Sequence, residues 1–157
     1  MGAHAYWYVV KYNPDVEAAL RALREREFAA GRYNPAMPFI HFPITPASPA
    51  PGPQHDSIAE AIEDAAEDGT RSILDLDGIA DERDFGVAAR LGDEELLEYF
   101  GTTTPTRDTV ERNDDFFEDI ERGQGVYVVL YKDGKPDELF FAGQYDPDPL
   151  NKWPDAK

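Results

Sequence analysis

Few residues in this chain have types and spacing suited to chemistry. The first group is Ile73-Leu74-Asp75-Leu76-Asp77-Gly78. Alternate residues leaving a strand point to the same side, so Asp75 and Asp77 would present two carboxylates together at a strand end. The same letters also spell a turn at Asp77-Gly78 in a chain this rich in acids. The second group is Asp114, Asp115, Glu118 and Asp119, which cluster at helical spacing. They lack the glycine and ligand order of a calcium loop, and acids in the first turn of a helix already have a dipole explanation. His4, His41 and His55 are widely separated and form no His-x-x-x-His, which favours structural histidines over metal ligands. No serine has a nucleophile-elbow context, and Gly123-Gln124-Gly125 reads as a helix stop before a strand, not a phosphate loop. With no cysteine there is neither a thiolate nucleophile nor a Cys-ligated zinc site.

The Ile73–Gly78 string resembles the first motif of the haloacid dehalogenase-like phosphotransferases. The resemblance covers six residues. It implies that Asp75 attacks phosphorus, that Asp77 serves as acid/base, and that both help hold Mg²⁺. On that reading the chain is a Mg²⁺-dependent phosphohydrolase or phosphotransferase.

Charge points elsewhere. The chain has 157 residues, 32 acids and 15 bases, a formal charge of −17 and a sequence pI near 4.3. Residues 1–55 are near neutral, with Lys11, Arg21, Arg24, Arg26 and Arg32 against Asp15, Glu17, Glu25 and Glu27. The whole excess of acid therefore lies in residues 56–157. Such acidity excludes nucleic acid and anionic membrane as partners, since both bind through basic surface. No apolar run is long enough to span a bilayer, no stretch of signal-peptide type opens the chain, and the lack of cysteine fits a cytoplasmic address.

The elements that must position these groups follow from periodicity. His4–Tyr12 alternates Tyr6, Tyr8, Val10 and Tyr12 with Ala5, Trp7 and Val9, so both faces are apolar and a central strand is expected. The tyrosines and tryptophan of this strand could stack a ligand, although a core or interface use is commoner. Asn13 is expected to cap a helix opening at Pro14, with Val16, Ala19, Leu20 and Leu23 as its buried stripe and Gly31 as its stop. Arg21 and Arg24 fall off that stripe. Residues 34–53 hold seven of the 13 prolines and interrupt a short apolar piece, 39–42, suited to an edge strand. The Pro-rich loop 43–54 reads as a spacer.

Ser57-Ile58-Ala59-Glu60 is a capping-box pattern that starts a second helix, closed by Gly69. Its outer face carries Glu60, Glu63, Asp64, Glu67 and Asp68. Acids in the last turn oppose the helix dipole, so local stability did not place them there. Residues 72–76 suggest a short strand and 77–92 a polar connection. Asp93 is expected to cap a short helix ending at Gly101. A helical stretch from Thr104-Pro105 is expected to break near Asn113-Asp114. Finally Val126–Lys132, Asp133-Gly134 and Lys135–Ala142 spell a hairpin with a type I′ turn. A plain two-residue loop would put Val126, Val128 and Leu130 on one face with Leu139 and Phe141.

These elements predict a single α+β domain over residues 1–145, with an extended tail over 146–157. The sheet is expected to be mixed or mainly antiparallel, of three to five strands, with helices packed on it and a C-terminal β-hairpin. Helices for only one face are evident, so an aromatic second face is expected to line a pocket or a self-association surface.

Three functional readings follow. The first is a non-enzymatic acidic protein, of the inhibitor or immunity kind, that binds a basic protein surface. Glu60, Glu63, Asp64 and Glu67 would carry the contact, with Asp114, Asp115 and Glu118 second, and neither metal nor cofactor is needed. The second is the Mg²⁺-dependent enzyme using Asp75 and Asp77. The third is a homodimeric module holding a small ligand on the aromatic sheet face.

Overall fold

Leu139 and Phe141 alternate with Phe140 and Ala142 along one C-terminal strand, and all four side chains are buried. A strand apolar on both faces needs cover on both, and that requirement organises the molecule. The structure is a computed structural model that describes residues 4–34, 36–37, 40, 42, 44–65, 69–121 and 123–145. It is α+β. The strands are β1 (His4–Lys11), β2 (Gly78–Ala80), β3 (Val87–Arg90), β4 (Gly125–Lys132) and β5 (Lys135–Tyr145). The helices are α1 (Val16–Ala30), α2 (Ile58–Asp64), α3 (Asp93–Phe100) and α4 (Arg107–Arg112), with 3-10 turns at Ile73–Asp75 and Asp114–Asp119. The five strands form one mixed sheet in the order β1-β5-β4-β3-β2. β5 pairs antiparallel with both β1 and β4, whereas β4, β3 and β2 are mutually parallel.

On one face Tyr6, Tyr8, Tyr127, Leu139 and Phe141 pack under Ala19, Leu20 and Leu23 of α1, Ala61 of α2, and Ile73, Leu74 and Leu76. Burying a leucine such as Leu20 or Leu23 stabilises by roughly 1.5–3 kcal/mol. On the other face Val126, Val128, Leu130, Phe140 and Ala142 pack under Leu96 and Phe100 of α3, Val110 of α4, and Phe116 and Ile120. The aromatic second face expected to stand open is therefore covered. Its cover comes from short elements, none longer than eight residues, whose apolar residues are too few to announce a layer from periodicity alone.

Several expectations are corrected. β1 lies at the sheet edge. Its double apolar character arises because α1 covers Tyr6 and Tyr8, while Phe42 and Phe117 lie against Trp7. The hairpin has its type I′ turn, with φ of 54° at Asp133 and 80° at Gly134. A β-bulge beyond Leu130/Tyr131 then pairs Leu130 with Glu138, Val129 with Leu139 and Val128 with Phe140. One extra residue on β5 flips every side chain beyond it, so Leu139 and Phe141 share a face with Tyr127 and Val129. Residues 73–75 form a 3-10 turn, not a strand, because side chains supply the local bonds. Ser72 Oγ accepts the Leu74 N–H (3.3 Å) and Asp75 Oδ1 accepts the Thr70 N–H (2.8 Å). The polar connection 77–92 contains β2 and β3, which are too short to alternate visibly.

The caps of α1 and α3 shift by small steps. Asp15, whose side chain accepts the Ala18 N–H, caps α1, while Asn13 accepts the Asp15 N–H. Gly92 precedes α3, and Glu95 accepts its N–H in place of an Asp93 cap. Gly31 ends α1 as expected, at φ 76°. A side chain there would collide with the Gly52 backbone. Gly52 N–H donates to Ala30 O (2.9 Å), so the Pro-rich segment is fastened to α1 and is no spacer. Ile40 and Phe42 lie outside any strand, whereas Phe39 and His41, like residues 146–157, fall outside the described residues.

Candidate functional site: an aromatic anchor among exposed acids

The β2–β3 connection reads Asp81-Glu82-Arg83-Asp84-Phe85-Gly86. Two backbone bonds hold its far end. Gly86 N–H donates to Gly123 O (2.7 Å), and Asp77 N–H donates to Gly86 O (2.8 Å). Arg83 holds its middle by donating to Glu95 of α3 (2.7 Å) and to Asp119 O of the 3-10 helix (2.7 Å). Tyr99 of α3 donates to the Asp119 carboxylate. Burial first, and that carboxylate second, push the Tyr99 hydroxyl up to about 12. Loop, α3 and 3-10 helix are thus clasped into one surface.

Phe85 stands in that surface 78% exposed. Its ring lies over Gly123, where φ is 84° and a Cβ would overlap the ring. A fixed backbone and a bare glycine therefore hold a large aromatic side chain in solvent instead of letting it fold inward. Leu97 of α3 is also 54% exposed. Asp81, Glu82, Asp84, Asp93, Glu94 and Glu98 are exposed and have no ion pair among the described residues.

The residues expected to bind a partner divide. Glu60, Glu63 and Asp64 are exposed on α2, and Asp64 Oδ2 accepts from His55 Nε2 (2.9 Å). Glu67 lies outside the described residues. Asp115 and Glu118 are exposed on the 3-10 helix Asp114–Asp119. That helix packs on the opposite face of the sheet from α2. The acids of residues 56–157 hence do not form one face. Two apolar layers, one of α1, α2 and residues 73–76 and the other of α3, α4 and residues 116–120, carry them to opposite sides. Asp115 and Glu118 belong to the layer that carries Phe85; Glu60, Glu63 and Asp64 do not.

Asp75 and Asp77 do not form a pair of strand-end carboxylates. Asp75 sits in a turn, and its oxygens accept from Thr70 N–H (2.8 Å), Thr70 Oγ1 (2.8 Å) and Arg71 N–H (3.3 Å). Burial raises its carboxyl above the ordinary value, and these hydrogen bonds together with Arg24 pull it partly back. Asp77 is exposed. Among the described residues no group of three or more acids or histidines is placed to hold a metal ion. His55 links two groups structurally: its Nδ1 meets the buried Tyr33 hydroxyl (2.9 Å), which also accepts the Gln54 N–H.

Sequence reasoning missed Phe85 and Arg83. The signal was a lone aromatic residue set within five charged and glycine positions, where no core periodicity calls for one. Compared with known proteins, the chain matches no family model, no curated protein and no solved structure.

Proposed function

We propose that this chain is a non-enzymatic cytoplasmic interaction protein that binds a basic protein surface, with Phe85 as its anchor and the acids of the 81–98 segment, Asp115 and Glu118 around it. The observation that carries this reading is Phe85, held 78% exposed by a clasped loop. Interfaces take most of their energy from a few aromatic or arginine anchors, while surrounding charge raises the association rate and selects the sign of the partner. The net charge of −17 supplies that field.

Pull-down from the native host at low and high salt tests the reading. Phe85→Ala is expected to weaken binding of the recovered basic partner by about 2 kcal/mol or more, the range of interface anchors. The same change should move unfolding stability by no more than ~0.5 kcal/mol, as for an exposed side chain. Affinity should fall steeply with ionic strength. A partner whose binding ignores both salt and the loss of Phe85 would sink the proposal.

A further inference from the structure

Phe85 stands in solvent beside a carboxylate whose position is also fixed. Its own N–H donates to Asp84 Oδ1 (2.7 Å), which ties the Asp84 side chain to the root of the aromatic residue. Asp84 is exposed, and its second oxygen makes no hydrogen bond among the described residues. At 78% exposure the ring keeps most of its π surface in water. A ring and a carboxylate are thus held next to each other, facing outward.

The cation nearest in sequence is withheld from them. Arg83 could neutralise Asp84 or lie on the ring from within the same loop. Instead its Nη1 donates to Asp119 O (2.7 Å) and its Nη2 to Glu95 (2.7 Å), so the guanidinium is committed to the 3-10 helix and α3. Arg90, the next cation along the chain, pairs with Tyr127 at the far end of β3. Ring and carboxylate therefore stay available to a cation from outside.

An exposed phenyl ring suits two kinds of occupant, an apolar pocket or a cation. A pocket deep enough to enclose the ring would enclose Asp84 as well, because the carboxylate is bonded to the N–H of the same residue. Taking an unpaired carboxylate out of water is costly, and that bond keeps it from retreating. With a cation the same carboxylate becomes favourable. The ring face attracts positive charge through its quadrupole, and the carboxylate pairs with it directly. A guanidinium suits the pair better than an ammonium, since its plane can lie on the ring while its forked N–H groups reach the carboxylate. The net charge of −17 draws cations to the whole surface. What selects this spot is the ring and the carboxylate fixed together.

We propose that Phe85 and Asp84 together receive an arginine side chain of the basic partner, its guanidinium stacked on the ring and bonded to Asp84 Oδ2. This rests on the reading of Phe85 as the contact residue and names what that residue meets.

The test is an NMR titration of the full chain that follows the backbone N–H signals of Gly86 and Gly123. The probe is N-acetylarginine amide, whose single guanidinium cannot bridge distant acids. N-acetylnorleucine amide is the apolar comparison, and N-acetyllysine amide tests the preference for a guanidinium. The arginine probe is expected to shift both signals saturably, the norleucine probe not to, and the lysine probe to bind more weakly. Phe85→Leu keeps an apolar side chain without a ring face and should weaken the arginine probe by about threefold or more, the range of exposed cation–π contacts. Asp84→Asn keeps an acceptor for the Phe85 N–H, removes the charge, and should weaken it to a similar degree. Both positions are exposed, so the urea midpoint should hold in each variant. No saturable shift, or an affinity unchanged in either variant, would overturn the proposal, as would equal affinity for the lysine probe. Equal affinity for the norleucine probe would also overturn it, while leaving Phe85 as an apolar anchor. A recovered partner that ignores Phe85→Ala removes the anchor itself, so the two failures are told apart.

Discussion

Replacing Glu27 by alanine is expected to lower unfolding stability by about 3–5 kcal/mol, the cost of leaving a buried charge without its partner. Glu27 is 0% exposed. Arg32, itself nearly buried, donates both Nε and Nη2 to it, and this carboxylate raises the Arg32 guanidinium pKa further. Alanine at 27 would strand that guanidinium in the protein interior and leave a void beside Tyr8 and Leu23. At about 2–4 °C per kcal/mol for a chain of this size, the melting temperature should drop by about 6–20 °C. Arg32 also donates to Pro49 O, so the Pro-rich segment should loosen at the same time, visible as faster proteolysis there. Urea unfolding of Glu27→Ala and of Glu27→Ala/Arg32→Met separates the contributions. The double variant removes both charges and should recover part of the loss. A loss below about 1 kcal/mol in the single variant would show that Arg32 finds solvent when its partner is gone.

The second large effect is expected at Asp75. Asp75→Ala would deprive the N–H groups of Thr70 and Arg71 of their acceptor and leave the Thr70 hydroxyl only Ser72 Oγ (2.9 Å), and unsatisfied buried groups cost about 1–3 kcal/mol each. A total of roughly 2–4 kcal/mol is expected on this basis. The pH dependence has a definite sign. Burial, the largest influence, raises the Asp75 carboxyl in the folded chain above its unfolded value. The folded state therefore binds this proton more readily than the unfolded state. Its contribution is fully present below the unfolded value of about 3.9 and is lost as pH rises through the higher folded value. The stability difference between the native chain and Asp75→Asn should accordingly shift against the native chain as pH rises through that window. A flat difference would mean that the carboxyl titrates normally. Hydrolysis of a generic phosphoester that Asp75→Asn abolishes without moving the urea midpoint would instead identify Asp75 as a catalytic carboxylate.

The two variants show why parts of the molecule were legible and others were not. Glu27 continues the stripe of Ala19, Leu20 and Leu23 at helical spacing, but an acid on a stripe reads as its border. Its burial depends on Arg32, which arrives only after the chain has turned at Gly31. Asp75 reads as catalytic because Asp-x-Asp assumes a strand before it. The strand is absent because Ser72 and Asp75 satisfy the backbone locally, with Arg71 held at a positive φ of 55°. The Phe85 patch was hidden for a different reason. No residue of the 81–86 loop is unusual by itself, and only the Arg83 clasp and the bare Gly123 beneath the ring keep Phe85 in solvent.

What the amino-acid order by itself determined is local. The α+β class, α1 with its Gly31 stop, the Ser57 cap of α2, the α3 stop at Gly101, the break near Asn113 and the type I′ hairpin turn all rest on residues within a few positions of one another. The asymmetry of charge along the chain is equally plain from the sequence. Tertiary structure alone decided the edge position of β1, the bulge that exchanged the two faces of β5, and the covering of the second sheet face. It also decided the parting of the acids to opposite sides. Each of these depends on which distant segments share a layer. Burial energy summed over the whole core sets that outcome, and no short window of sequence contains it.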